Sequence, residues 1–141
     1  MLKNIPACVS PDLMHAMMSM GHGDEIVLAD ADFPGASVAQ RLIRADGLTL
    51  DILLNAVLPF FPLDSFVEYP VATMDYRAWS ATEPGSYGRF RKIFTERQVR
   101  IKDFELVERF AFYERARKTF AVVMTSETDG NLILRKGAVN G

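Results

Sequence analysis

Apolar positions along the chain recur in two periods, one helical and one extended. Leu13, Met17 and Met20 recur at helical spacing, with Met14 and Met18 alongside, and predict a first helix. Ser10 can cap its start, Pro11 suits its first turn and Asp12 favours its positive end. Gly21 stands where a left-handed C-terminal cap would be. Residues 25–31 then read as a strand. Ile26, Val27 and Leu28 are consecutive and apolar, so both faces of that strand are expected to be covered. Phe33-Pro34-Gly35 breaks it.

Residues 40–45 predict a second short strand, followed by a turn at Asp46-Gly47. Thr49 can cap the next helix, whose buried stripe is Leu50, Leu53, Leu54, Val57 and Leu58 and which Pro59 and Pro62 end. Residues 66–76 have strand character interrupted by Pro70, which argues for an edge or a bend. Residues 78–87 read as a loop containing Pro84 and Gly85. Residues 88–98 read as a helix with Phe90 and Phe94 on one face. Arg89, Arg91, Lys92 and Arg97 lie elsewhere on it, most simply as a solvated face.

Residues 104–110 read as a strand and residues 113–119, rich in Glu, Arg, Ala and Lys, as a helix. Residues 120–125 and 132–136 predict two more strands, separated by a turn at Asp129-Gly130-Asn131. Strands alternating with short helices, without a repeat or linker, predict one α/β domain over residues 1–141. Its sheet is expected to be mixed or mostly parallel, with helices on both faces.

Composition narrows the picture. The 141 residues suffice for one domain with a substantial core. A net charge of −2, without a concentrated basic field, gives no sign of a nucleic-acid partner. The opening MLKNIPACVSPDL lacks a signal-peptide core, and the longest apolar run, LDILLNAVLPFFPL, is too short and too broken to span a bilayer. The single cysteine, Cys8, excludes an internal disulfide and fits a reducing cytoplasm. It reads as a small buried hydrophobe rather than a nucleophile.

No phosphate-binding loop, dinucleotide fingerprint, metal-ligand pair or serine-nucleophile elbow is present. Only two histidines occur. His15 falls within the first helix as a surface or packing residue. His22 follows a helix stop between two glycines, which allow the chain to bend closely around a ligand. An ordinary histidine titrates at about 6.5 and so exchanges protons near neutrality. Asp30 stands at the far end of the strand, where open α/β sheets bind ligands. The plainer alternatives are a loop histidine bonded to a carbonyl and an aspartate capping the next turn.

Four separated segments carry a family resemblance: GHGDEIVLADADFP, IRADG at 43–47, RFAFYERA at 109–116 and GNLILRKG at 130–137. Together with the opening MLKNI and SPDLM, they closely resemble the L-fucose mutarotase family, which is related to D-ribose pyranase. The resemblance is collinear along the chain and weakest from about residue 70 to 102. It implies a cofactor-free isomerase that interconverts the α and β anomers of a free monosaccharide, foremost L-fucose. A ribose pyranase-type isomerase and a non-catalytic monosaccharide-binding accessory of sugar transport are the alternatives.

By resemblance, His22 matches the family's catalytic histidine, regarded as the proton donor. Asp30 and Arg109 match substrate-binding positions, and Asp129, Gly130 and Asn131 match a three-residue substrate-binding segment. Asp129 departs from the aromatic residue common there, which puts a stacking contact in doubt. For Gly130 and Asn131 a plain turn is the alternative. Tyr113, within RFAFYERA, is a second catalytic candidate through its hydroxyl, with burial as the alternative. Arg109 and Tyr113 are one helical turn apart in numbering, but a strand-to-helix change is expected between them, so a shared face is not predicted.

His22 and Asp30 lie eight residues apart. If that stretch is mostly extended, they are separated by roughly 20–26 Å. One monosaccharide cannot touch both. Either the GHG loop folds back, or two chains complete each site. The resemblance implies ring-like homo-oligomers, often decamers, with sites near subunit contacts.

Overall fold

The computed structural model describes residues 1–140. Six strands form one mixed sheet: β1 (Glu25–Ala29), β2 (Leu42–Ala45), β3 (Val71–Met74), β4 (Glu105–Val107), β5 (Ala121–Thr125) and β6 (Leu132–Arg135). Their spatial order is β2-β5-β1-β6-β3-β4. β6 alone runs against its neighbours, β1 and β3; the β1–β5, β2–β5 and β3–β4 pairs are parallel.

Five helices cover the sheet: α1 (Pro11–Ser19), α2 (Gly35–Val38), α3 (Leu50–Val57), α4 (Gly85–Glu96) and α5 (Arg109–Lys118). The two-residue period of β1 sends its side chains into different layers. Ile26 and Leu28 join a core with Leu13 and Met17 of α1, Leu50 and Leu53 of α3, and Phe90 and Phe94 of α4. Val27 and Ala29 join a second core with Val38 of α2 and Phe112 and Ala116 of α5. The predicted cover on both faces is therefore present. Each fully buried Ile or Leu contributes about 1.5–3 kcal/mol.

Local capping follows the sequence closely. Ser10 and Thr49 accept from the backbone N–H groups of Leu13 and Ile52, starting α1 and α3. The predicted left-handed cap at Gly21 is not formed. α1 ends at an extended Met20, and Gly23 instead takes the positive φ of 91°. The Gly21 N–H turns to the Asp24 carboxylate at 2.7 Å, which draws the loop tightly into β1.

Three boundaries move. β3 starts only after Pro70 and is interior, between β6 and β4, not an edge. Pro70 sits just outside the ladder, where its carbonyl accepts from the Arg135 N–H. α4 starts at Gly85, inside the expected loop. α5 starts at Arg109, because the Glu108 carboxylate accepts from the Ala111 N–H and caps the helix there. Among the described residues no helix is long and apolar enough to cross a membrane.

Candidate functional site

The carboxyl ends of β1 and β3, the start of β6 and the start of α5 meet at one end of the central strands. There they line a cleft of about 310 Å³, built from Asp30, Asp32, Phe33, Met74, Trp79, Arg109, Tyr113 and Asn131. That size lies at the low end for small-molecule sites, about 300–1,000 Å³. A larger open hollow near Phe94, Gln98 and Arg100 collects none of the predicted residues.

Asp30 and Asn131 form the polar centre. The Asp30 N–H donates to Asn131 Oδ1 at 2.8 Å, and Asn131 Nδ2 donates to Asp30 Oδ2 at 3.1 Å. Burial pushes the Asp30 carboxyl above its ordinary pKa, opposed by hydrogen bonds from Asp32, Gly130, Asn131 and Phe33. Asn131 is itself fixed, since its carbonyl accepts from the buried Thr73 hydroxyl at 2.8 Å.

The expected strand-to-helix change between Arg109 and Tyr113 is absent, and the two share a face. Both lie on α5, four residues apart, and Arg109 Nε donates to Tyr113 Oη at 3.0 Å. The Phe33 ring meets Tyr113 edge-on at 5.5 Å between centroids. This leaves the Tyr113 hydroxyl proton and the rest of the guanidinium to a ligand.

The Asp129-Gly130-Asn131 turn divides its labour. Asn131 enters the cleft. Gly130 has φ of 123° and packs so closely that a Cβ would lie 2.6 Å from Phe90. The packing therefore excludes a side chain at this position. Asp129 is exposed and does not line the cleft.

His22 stands at the other end of β1, with β1 alone spanning about 17 Å. The GHG loop does not fold back to the cleft. Instead His22 Nε2 lies 3.0 Å from Oδ1 of Asp64, and its ring packs on Phe66 at 5.4 Å. Asp64 is 2% exposed. Its carboxylate accepts from the Phe66 N–H, from His22 and from Arg135 Nε, which together hold its pKa down to about 2. An ionised carboxylate only accepts, so His22 keeps its proton on Nε2, and Nδ1 is the nitrogen free to exchange one. Among the described residues, no group of three His, Cys, Asp or Glu side chains converges as a metal site.

Sequence reasoning missed Asp64, Met74, Phe33 and Trp79. Trp79, the only tryptophan, could have drawn notice on that ground. Asp64 carries no local signal, because its partner is 42 residues away.

An α/β domain thus holds a small polar cleft at the carboxyl end of β1 and a histidine paired with a carboxylate at the other end. Residues 3–139 match the RbsD / FucU transport protein family, and the chain belongs to that family. It is 47% identical to human fucose mutarotase, covering 98% of this chain and 94% of that one. It is 40% identical to L-fucose mutarotase of Haemophilus influenzae, over 97% of this chain and 96% of that one. The crystal structure of the fucose mutarotase of Streptococcus pneumoniae in complex with L-fucose superposes with a TM-score of 0.90 at 43% identity, covering 98% and 99% of the two chains.

Proposed function

We propose that the protein is a cofactor-independent mutarotase that interconverts the α and β anomers of L-fucose. One observation carries the reading: the Asp30–Asn131 and Arg109–Tyr113 pairs converge on one cleft in a chain so similar to a mutarotase crystallised with that sugar.

The chemistry requires a proton delivered to the ring oxygen and a proton removed from the anomeric hydroxyl. The bond between C1 and the ring oxygen then breaks to give the open-chain aldehyde. Rotation about the C1–C2 bond and reclosure on the other face return both protons. In this reading His22, carrying a proton on each ring nitrogen, is the proton donor through Nδ1 and is left with its Nε2 proton donated to Asp64, and Tyr113 handles the second proton through its hydroxyl. Asp30, Asn131 and Arg109 hold the sugar hydroxyls, Gly130 contributes its backbone, and Asp129 stands at the rim.

His22 and the cleft belong to opposite ends of β1, so the reading includes a homo-oligomer, a ring-like decamer, in which His22 and Asp64 of one protomer face the cleft of the next. Exposed aromatics support this at both surfaces: Phe66, 75% exposed, beside His22, and Phe110, 64% exposed, beside Arg109. A reducing cytoplasm suits the lone thiol.

Exchange NMR on equilibrated sugars tests the proposal. The protein is expected to accelerate α/β exchange of L-fucose, and His22→Ala to lower the rate by about 10²–10⁴-fold. Unchanged exchange across a panel of monosaccharides overturns it. Faster pyranose/furanose exchange of ribose would indicate the pyranase-type isomerase. The family's transport designation favours one further reading, a non-catalytic sugar-binding accessory; saturable fucose binding without exchange would establish that instead.

A further inference from the structure

The cleft has two chemically different sides. Asp30, Asn131, Arg109 and Tyr113 offer donors and acceptors along the β1, β6 and α5 side. Met74 and Trp79 close the β3 side. Met74 is the last residue of β3, and its carbonyl is already taken by the buried Tyr87 hydroxyl at 2.7 Å. That backbone position therefore has its hydrogen bond satisfied before any sugar arrives.

Trp79 follows directly from a 3-10 turn, Tyr76–Ala78. Asp75 stiffens the turn by accepting from the Arg77 N–H and by a two-pronged ion pair with the Arg77 guanidinium. The Trp79 N–H donates to the Tyr76 carbonyl at 2.9 Å, so the indole is carried on a fixed backbone. Its side chain is large, half exposed and stacked on no other ring among the described residues. A half-exposed indole lining a polar cleft is an apolar surface open to an apolar part of the ligand.

We infer that Trp79, with Met74 beside it, is the specificity-determining wall that receives the methyl group of a 6-deoxy sugar. The inference rests on the mutarotase reading and deepens it. The hydroxyls of the ring face Asp30, Asn131 and Arg109, and the methyl on C5 faces the indole and the thioether. A hydroxyl in place of a methyl hydrogen would meet the indole face and the thioether there and lose part of its water. An apolar pocket rejects such an added hydroxyl only moderately, by about 10²-fold at most, and a missing carbon costs about 10–200-fold.

Three sugars of the same ring configuration separate the possibilities: L-fucose, L-galactose, which adds the C6 hydroxyl, and D-arabinose, which lacks C6. Anomeric exchange is measured on each with wild type, Trp79→Phe and Trp79→Ala. Wild type is expected to favour L-fucose over both others by tenfold or more in kcat/KM, an apolar-pocket difference. Trp79→Ala is expected to lower kcat/KM for L-fucose far more than for D-arabinose, mostly through KM, and Trp79→Phe to keep the preference. The lone tryptophan gives a second measurement independent of turnover. Its emission should shift saturably with L-fucose, at lower concentration than with D-arabinose. A proportional loss on all three sugars in Trp79→Ala, or a wild type indifferent among them, overturns the inference and leaves the mutarotase reading standing. A wild type that accelerates exchange of none of the three removes that reading and the inference with it.

Discussion

Asp30 and Asn131, 101 residues apart in the chain, hold each other by two reciprocal hydrogen bonds of 2.8 and 3.1 Å. One fixes the backbone at the end of β1 and the other presents the Asp30 carboxylate to the cleft. Asn131→Ala leaves the Asp30 N–H without its partner and removes a donor that stabilises the charged carboxylate. The expected cost is about 1–3 kcal/mol in folding stability, with fucose exchange lost further than that loss of folded protein explains. Urea titration beside exchange NMR checks both. Full exchange in a destabilised Asn131→Ala protein would make the pair purely structural.

Asp64 and Asp30 respond to acid in opposite directions. Asp64 is depressed in the fold from an ordinary value of about 4 to about 2. Its charged form therefore stabilises the fold above about pH 4, and this contribution is lost as pH falls through about 2. Asp30 is raised, so its contribution is full below its ordinary value and is lost as pH rises through the raised one. Asp64→Asn is expected to be destabilising at pH 7, with the gap to wild type closing between about pH 4 and 2. Asp30→Asn should gain relative to wild type as pH rises. Denaturation midpoints across that range decide the matter; a gap for Asp64→Asn that does not change with pH would contradict the assignment.

Gly130 occupies a left-handed backbone at φ 123°, with Phe90 where a side chain would begin. Gly130→Ala therefore combines backbone strain with a clash against a fully buried ring. Overpacking of this kind costs about 1–3 kcal/mol, and relief requires the turn to move, carrying Asn131 with it. The variant should be less stable and should bind fucose more weakly, read by thermal unfolding and sugar titration. Gly85→Ala, where a Cβ meets open space, is the control and should leave both measurements near wild type.

Much of the architecture was legible because it is local. Ser10 and Thr49 mark helix starts through bonds three residues long, and the Ile26-Val27-Leu28 run shows a strand covered on both sides. What misled was chemistry with two local outcomes. Gly21 suits a left-handed cap as well as Gly23 does, and the loop's bond from Gly21 to Asp24 decided between them. Glu108 could continue a strand or cap a helix; it caps, and so Arg109 and Tyr113 meet. Of the proposed site, His22 and Asp30 were visible at the two ends of one strand, and their separation was visible with them. Asp64 and the Met74–Trp79 wall were not, because each acquires its role from contacts between segments distant in the chain.

The placement of His22 and Asp30 at opposite ends of β1 makes a strong prediction about assembly. If each site takes His22 from one chain and the cleft from the next, two inactive variants can repair each other. His22→Ala spoils only the histidine half, and Tyr113→Phe only the cleft half. Each alone should exchange fucose poorly. Mixed, dissociated and reassembled in equal amounts, they should recover roughly a quarter of wild-type activity, the chance that an intact half meets an intact half in a cyclic homo-oligomer. Sedimentation of the mixture should give the same particle as wild type. If the mixture stays as inactive as its parts while assembling normally, both halves come from one chain, and the GHG loop must then move to reach Asp30.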